Sequence, residues 1–340
     1  MPKPKQNILV IRLSALGDVA MTIPILRVLN QNYPDTKITV LTRPFFSPLF
    51  RDLKNITIFF ADVKGEHKGV FGLYKLAREL NKEHAFYAIA DLHNVLRSKI
   101  LKKVLRGKQF AAIDKGRAEK KALISGNAFR QLKTTHQRYV DVFEGLGYQL
   151  DLSKSTFPES AILSKKILSI IGETTKPLIG IAPFAAHEGK MYPLHLMKIV
   201  IQELSKKHQI ILFGGGKNEI EILNQFESEI SNTINLAGKL SLDEELDVIS
   251  NLDVMLSMDS GNAHLAAMLG IKVITIWGVT HPFAGFAPFN QPNDYALLAD
   301  KNKFPKIPTS VYGNKYPENY KEAAGSISPE TIIEKIKSIF

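Results

Sequence analysis

Short apolar runs separated by stretches of helical periodicity recur along this chain, and they leave little choice of fold class. Residues 8–11, 38–41, 56–60, 87–92 and 110–113 are such runs in the first half, and 178–182, 210–213, 234–236, 254–258 and 273–277 in the second. Runs this short, bounded by polar or glycine-rich turns, read as strands buried in a sheet, not as helices. Strands alternating with helices imply parallel sheets with right-handed crossovers. The predicted class is therefore α/β. At 340 residues the chain is long enough for two such domains, each with its own core. The boundary is expected in the weakly patterned stretch before Pro177, giving domains over 1–155 and 176–325. A helix begun at Ser328-Pro329 would fill 326–340 and pack back on the amino-terminal domain.

Several helices are legible within this frame. Residues 19–30 have helical spacing, with Pro24 inside, where the missing N–H predicts a kink. Helices are also expected over 71–80, 136–147, 194–206, 217–229 and 242–251. From Gly278 to Tyr320 the chain is rich in Pro, Gly and aromatics and reads as ordered loop. With 45% hydrophobic and 23% charged residues, the chain is globular and not disordered. It has no Cys, which excludes disulfides and thiolate metal sites and fits a reducing compartment. The basic start Met1-Pro2-Lys3-Pro4-Lys5 precedes an apolar run too short, and interrupted by Arg12, for a secretory signal. No run reaches the roughly 20 apolar residues that span a bilayer, so a soluble, cytoplasmic protein is expected.

The net charge of +11 is unevenly placed: 13 cations against Asp114 and Glu119 lie between Arg97 and Arg138. One reading is a solvated helical face. The other is a landing surface for an anionic partner, with Lys102, Lys103 and Arg106 at its centre. Nothing matches a nucleic-acid module, which excludes that partner and favours an anionic membrane or glycolipid.

Four stretches carry candidate chemistry. Ser14-Ala15-Leu16-Gly17-Asp18 turns from the first strand into a helix, in the crevice where open α/β sheets hold ligands. Asp18 either caps that helix or does chemistry. Gly214-Gly215-Gly216-Lys217-Asn218-Glu219 follows a strand and opens a helix, but Glu219 stands where a dinucleotide fingerprint has its third glycine. A nicotinamide cofactor is therefore not expected; Glu219 is either a ribose acceptor or an acid favoured at a helix start. At Asp259-Ser260-Gly261-Asn262-Ala263-His264 a strand meets a helix whose first N–H groups suit a phosphate. Asp259 and Ser260 are alternatively N-caps, and a carboxylate here repels a diphosphate unless it is bonded inward. Lys190, in the loop after the first strand of the second half, is placed to neutralise a leaving diphosphate. No Asp-x-Asp pair, HExxH or nucleophile elbow is present, so no metal site, no other cofactor and no serine-hydrolase chemistry are expected.

Taken together, the Ser14–Asp18 loop, the Lys190 loop and Asp259-Ser260-Gly261-x-x-His264-x-x-Ala267 resemble glycosyltransferase family nine, the ADP-heptose:lipopolysaccharide heptosyltransferases. The resemblance runs over roughly residues 7–277. It implies a GT-B fold, two Rossmann-like domains whose parallel sheets face a central cleft, and metal-independent inverting transfer. By that resemblance Asp18 is the general base, with Ser14 beside it on the acceptor side. Lys190 stabilises the leaving diphosphate. Glu219 holds the ribose, Gly214 and Gly215 let the backbone approach the donor nucleotide sugar closely, and Asp259, Ser260, Gly261 and His264 frame the nucleotide diphosphate. The implied donor is ADP-heptose and the implied acceptor a lipopolysaccharide inner core, met at the inner face of the cytoplasmic membrane. Ala185 and Ala186 stand where some heptosyltransferases carry hydroxyl residues, and Met191 where a Trp is common. Two other classes fit the same two-domain plan: a nucleotide-sugar epimerase or isomerase, and a non-catalytic nucleotide-sugar-binding protein.

Overall fold

The computed structural model describes residues 7–83, 85–173 and 175–340; the basic segment Met1–Lys5 lies outside them. The chain divides into two compact units. The first runs to Lys115 and resumes over Thr135–Thr156, and the second comprises Gly116–Thr134 and Phe157–Phe340.

The first unit contains β1 (Asn7–Ile11), α1 (Leu16–Ala20), α2 (Ile23–Asn32), β2 (Lys37–Thr42), β3 (Ile56–Phe60), α3 (Gly69–Glu83), β4 (Phe86–Asp91), α4 (Leu96–Val104) and β5 (Gly107–Ala112). Its strands pair in parallel in the order β3-β2-β1-β4-β5. Leu9 and Ile11 share a core with Leu73, Leu76, Ala77 and Leu80 of α3 and Leu101 of α4. The alternate residues Ile8 and Val10 are equally buried, as a strand covered on both faces requires. The expected helix over 19–30 is broken, not kinked. α1 ends at Ala20, Pro24 takes an opening position of α2, where its missing N–H costs nothing, and Thr22 Oγ1 donates to Val19 O at 2.7 Å across the break.

The second unit begins with α5 (Arg117–Ile124), an element without a counterpart in the sequence reading. In chain order, α6 (Thr135–Gly145) then returns to the first unit. Leu123 and Leu132 pack with Ala284, Phe283 and Phe286, and Leu132 N–H donates to Phe283 O at 2.9 Å. The unit continues through α7 (Lys165–Ile171), β6 (Leu178–Ala182), α8 (Leu194–Leu204), β7 (Gln209–Leu212), α9 (Lys217–Glu229), β8 (Thr233–Asn235), α10 (Leu242–Ile249), β9 (Val254–Met258), α11 (Gly261–Met268), β10 (Lys272–Trp277), β11 (Ala296–Leu298) and α12 (Pro329–Lys337). The parallel strand order is β11-β10-β9-β6-β7-β8. β11, inside the stretch read as loop, is three residues long and paired to β10.

The final helix departs from its expected place against the amino-terminal domain. Ile332, Ile333 and Ile336 of α12 lie in the core of the second unit with Val200, Ile201 and Leu204 of α8. An amphipathic stripe buries itself in whichever apolar surface is nearest, and here that surface is α8.

Both units share one plan, with the first strand central, two strands wound outward on one side and the later ones on the other. Each therefore has a switch point, between β1 and β4 in the first and between β6 and β9 in the second. Crevices for ligands open at the carboxyl ends of strands at such points.

Candidate active site

The loops after β1 and β4 meet at the first unit's switch point. Arg12, 6% exposed, ties them together: Nη1 donates to Leu92 O at 2.6 Å and Nη2 pairs with Asp18 Oδ2 at 2.5 Å. The same oxygen accepts the Ala15 N–H at 3.2 Å, so the acid in the first turn of α1 reaches back over its own helix start. Among the described residues Asp18 Oδ1 makes no hydrogen bond or ion pair, and the side chain is 29% exposed. One oxygen of the carboxylate is thus taken up at the helix start, and the other is without a partner among the described residues. Below it, the buried Tyr139 hydroxyl donates to Asp18 O at 3.3 Å.

His93, which the sequence analysis does not single out, joins this group. Its Nε2 lies 3.5 Å from Ser14 Oγ. Burial, then the nearby Arg12, Lys115 and Arg97 charges, push its pKa down to about 3, so the imidazole is neutral across the physiological range. Asp91, 1% exposed, fixes the turn that carries it by accepting the N–H groups of His93 at 3.0 Å and Asn94 at 2.8 Å. A polar cluster directly after a strand was the available signal; the pairing with Ser14, 79 residues away, was not.

In the second unit the switch point joins Lys190 to Asp259. Lys190 ends a short 3-10 turn after β6, and Nζ meets Asp259 Oδ2 at 2.8 Å, the side chains being 15% and 8% exposed. Thr280 Oγ1 donates to the same oxygen at 2.9 Å. The carboxylate is therefore turned inward and neutralised, which removes the expected repulsion of a diphosphate. Two residues that sequence reasoning missed build this arrangement. Thr280 follows β10, where Val279 N–H bonds Gly189 O at 2.9 Å and holds the two loops together. Gly313 has φ +79°, and a Cβ on it would stand 2.3 Å from Lys190 Cγ, so the lysine stem lies against bare backbone.

The N-cap reading of Asp259 and Ser260 does not hold. Ser260 makes no side-chain capping bond to α11; its hydroxyl lies 3.1 Å from Ser257 Oγ. The first turn of α11 thus begins at Gly261 without a side-chain cap, the arrangement that suits an anion. His264, on the next turn, is buried. Gly214 and Gly215 lie after β7, and Glu219 Oε2 accepts the Gly215 N–H at 2.8 Å. This carboxylate is engaged with its own loop, as an acid at a helix start would be. That loop approaches the Lys190 loop where Phe184 faces Gly214.

The basic stretch is not a single face. Arg97 to Lys115 and Arg138 belong to the first unit and Arg117 to Lys133 to the second. Lys120 and Arg138 are buried, with Lys120 Nζ over the Phe286 ring at 4.1 Å. Lys102, Lys103 and Arg106 are exposed, Lys102 resting over Phe110 at 3.9 Å. Among the described residues no group of three or more His, Asp or Glu is placed to hold a metal ion, and no helix is long and apolar enough to cross a membrane.

Comparison with known proteins accords with this geometry. Residues 73–313 match the model of glycosyltransferase family 9 (heptosyltransferase). The chain is 25% identical over 305 residues to the lipopolysaccharide core heptosyltransferase OpsX of Haemophilus influenzae, covering 87% of this chain and 86% of that protein. It is 23% identical to lipooligosaccharide heptosyltransferase 2 of Campylobacter jejuni, covering 95% and 96%. Among solved structures, a family 9 glycosyl transferase from Veillonella parvula superposes with TM-score 0.77 at 20% identity, over 100% of this chain and 98% of that one. Escherichia coli heptosyltransferase WaaC with ADP gives 0.71 at 19% identity, over 98% and 100%. Two Rossmann-type units of this kind make the GT-B fold, and the protein is a glycosyltransferase. The chain belongs to glycosyltransferase family 9, the heptosyltransferase family.

Proposed function

We propose that this enzyme moves a heptose, or a closely similar sugar, from a nucleotide diphosphate donor to a lipopolysaccharide inner-core acceptor, with inversion and without a metal ion. ADP-heptose is the first donor to consider, since WaaC was solved with ADP and with ADP-2-deoxy-2-fluoro heptose. The observation that carries the reading is the inward-turned Asp259, neutralised by Lys190 and Thr280 beneath an uncapped helix start. That arrangement accepts a diphosphate using the chain's own charges.

In the proposed reaction the acceptor hydroxyl loses its proton to Asp18 Oδ1 as its oxygen attacks the anomeric carbon. The bond from that carbon to the diphosphate breaks on the opposite face, which inverts the centre. Lys190, its charge shared with Asp259, donates hydrogen bonds to the departing diphosphate. Arg12 and the Ala15 N–H, both on Asp18 Oδ2, keep the carboxylate oriented. Ser14, its hydroxyl near neutral His93, contributes to the acceptor side, and Gly214, Gly215, Ser260, Gly261 and His264 to the donor side. The acceptor being lipid-linked, the enzyme works in the cytoplasm at the inner face of the cytoplasmic membrane.

The test is a thermal-shift screen of ADP- and other nucleotide sugars, followed by turnover with the donor that stabilises most. A saturating donor raises apparent stability, by about 2.7 kcal/mol at a hundredfold over its Kd. The product anomer should be inverted, and EDTA should leave the rate unchanged. A retained anomer, EDTA inactivation, or nucleotide release without acceptor would each overturn the reading.

A further inference from the structure

Unit one leaves its apolar side chains exposed at a single place. Among the described residues the large ones are Phe45 at 60%, Phe60 at 49%, Val70 at 61%, Phe71 at 91%, Tyr74 at 50% and Leu96 at 75%. Phe45 opens the turn that leaves β2, Phe60 ends β3, Val70, Phe71 and Tyr74 stand in the first turns of α3, and Leu96 opens α4. A crossover helix between parallel strands runs antiparallel to them, so α3 and α4 both start at the carboxyl edge of the sheet. All six side chains therefore rim the same end of the unit as Asp18, although they come from three separate connections. Ordinary scatter of exposed apolar residues would place some at the opposite edge.

The rim is also cationic and rigid. Arg97 and Lys99 of α4 and Lys64 and Lys68 before α3 are exposed beside it. The acids of that loop are fewer: Asp62, which accepts the Gly65 and Glu66 N–H groups and keeps its charge, and Glu66, which pairs with Lys75, so cations stay in excess. His67 clamps the start of α3, with Nδ1 accepting the Asp62 N–H at 3.1 Å and Nε2 lying 3.1 Å from Glu79 Oε2. Gly72 permits this fold-over, since a Cβ there would stand 2.4 Å from the His67 carbonyl carbon. Phe71 is thus presented from a fixed platform, which lowers the entropy cost of docking.

We infer that this rim is where the enzyme seats on an anionic phospholipid bilayer. Phe71, Val70, Tyr74 and Leu96 enter the headgroup and acyl boundary, and the flanking lysines and arginines meet lipid phosphates. The inference deepens the proposed function: a sugar held at headgroup level is thereby offered to the sheet edge that carries Asp18. An aromatic and aliphatic patch fringed by unmatched cations complements an anionic membrane better than a second copy of this chain, which would bring the same positive fringe against itself.

Flotation or sedimentation of the full chain with vesicles of phosphatidylglycerol and phosphatidylcholine, free of any saccharide, tests it apart from the chemistry. Binding should require phosphatidylglycerol and weaken with salt. Phe71→Ser should weaken it about tenfold, the effect of withdrawing one aromatic side chain from apolar surroundings. Arg97→Glu with Lys99→Glu should weaken it at least as much. Phe71→Ser should keep wild-type turnover on a delipidated, soluble acceptor and lose it on the same acceptor in vesicles. Wild-type indifference to anionic vesicles, or equal binding by Phe71→Ser, would overturn the inference. A dimer that Phe71→Ser converts to monomer would also overturn it and assign the rim to a second copy. Because vesicle binding needs no donor, it succeeds or fails independently of heptosyl transfer.

Discussion

Removing Lys190 should destabilise the second unit, and removing Asp259 as well should add little to that cost. At 2.8 Å two unit charges attract by roughly 6 kcal/mol at an effective dielectric of 20, before the cost of desolvating both is subtracted. Breaking such a buried pair from one side leaves an uncompensated charge and costs about 3–5 kcal/mol. Lys190→Met keeps the stem against Gly313 and leaves Asp259 ionised with the Thr280 hydroxyl alone, so the cost should be about 3 kcal/mol. Asp259→Asn should cost less, about 1–2 kcal/mol, because the amide oxygen still accepts from Thr280 and the more exposed lysine turns to water. The double variant should fall short of the sum by about 2 kcal/mol or more. Trp277 is the only tryptophan, 1% exposed on β10, so its fluorescence during urea unfolding reports on this unit separately from the other. Additivity within about 0.5 kcal/mol would refute the assignment of a coupled, buried pair.

Gly313→Ala should weaken ADP binding through Lys190, because the new methyl would stand 2.3 Å from its Cγ at a φ of +79°; titration calorimetry of the variant reads this directly. His93 supplies a pH signature. Its folded pKa of about 3 lies below its value in the unfolded chain, so acid protonates the unfolded state first. The stability it contributes is complete above about pH 6.5 and declines by up to about 1.4 kcal/mol per pH unit toward pH 3. Melting curves of His93→Gln should show a shallower acid slope; an unchanged slope would remove His93 as a cause. Glu219→Ala separates two roles: loss of the bond to Gly215 alone costs about 1 kcal/mol of stability, whereas a ribose contact adds a tenfold or greater loss of ADP affinity.

The strands and their order in two βα series were readable because branched apolar residues in short runs have few other uses. Positions 14, 18, 190 and 259 stand out as candidates in the sequence because each sits where a strand hands over to the next element, and ligand crevices lie there. What could not be read depends on contacts between distant residues. Thr280 and Gly313 finish the Lys190–Asp259 site, but nothing local marks a threonine after β10 or a glycine in a loop as its parts. The helix over 117–124 has no counterpart in the sequence analysis, and the amphipathic pattern of 329–337 shows that a face will be buried without showing in which unit. β11 draws its stability from pairing with β10, so its three residues carry no pattern of their own. Pro24 was legible as a disruption, but whether it kinks or restarts a helix is decided by Thr22, whose hydroxyl satisfies the Val19 carbonyl at the break.

In the proposed reaction Asp18 takes the acceptor proton through the oxygen its helix leaves unused. Single-turnover transfer from ADP-heptose, measured for wild type and Asp18→Asn beside the Kd for ADP, tests it most directly. Transfer should slow by about 10²–10⁴ with ADP affinity unchanged. Turnover by Asp18→Asn within tenfold of wild type would contradict it.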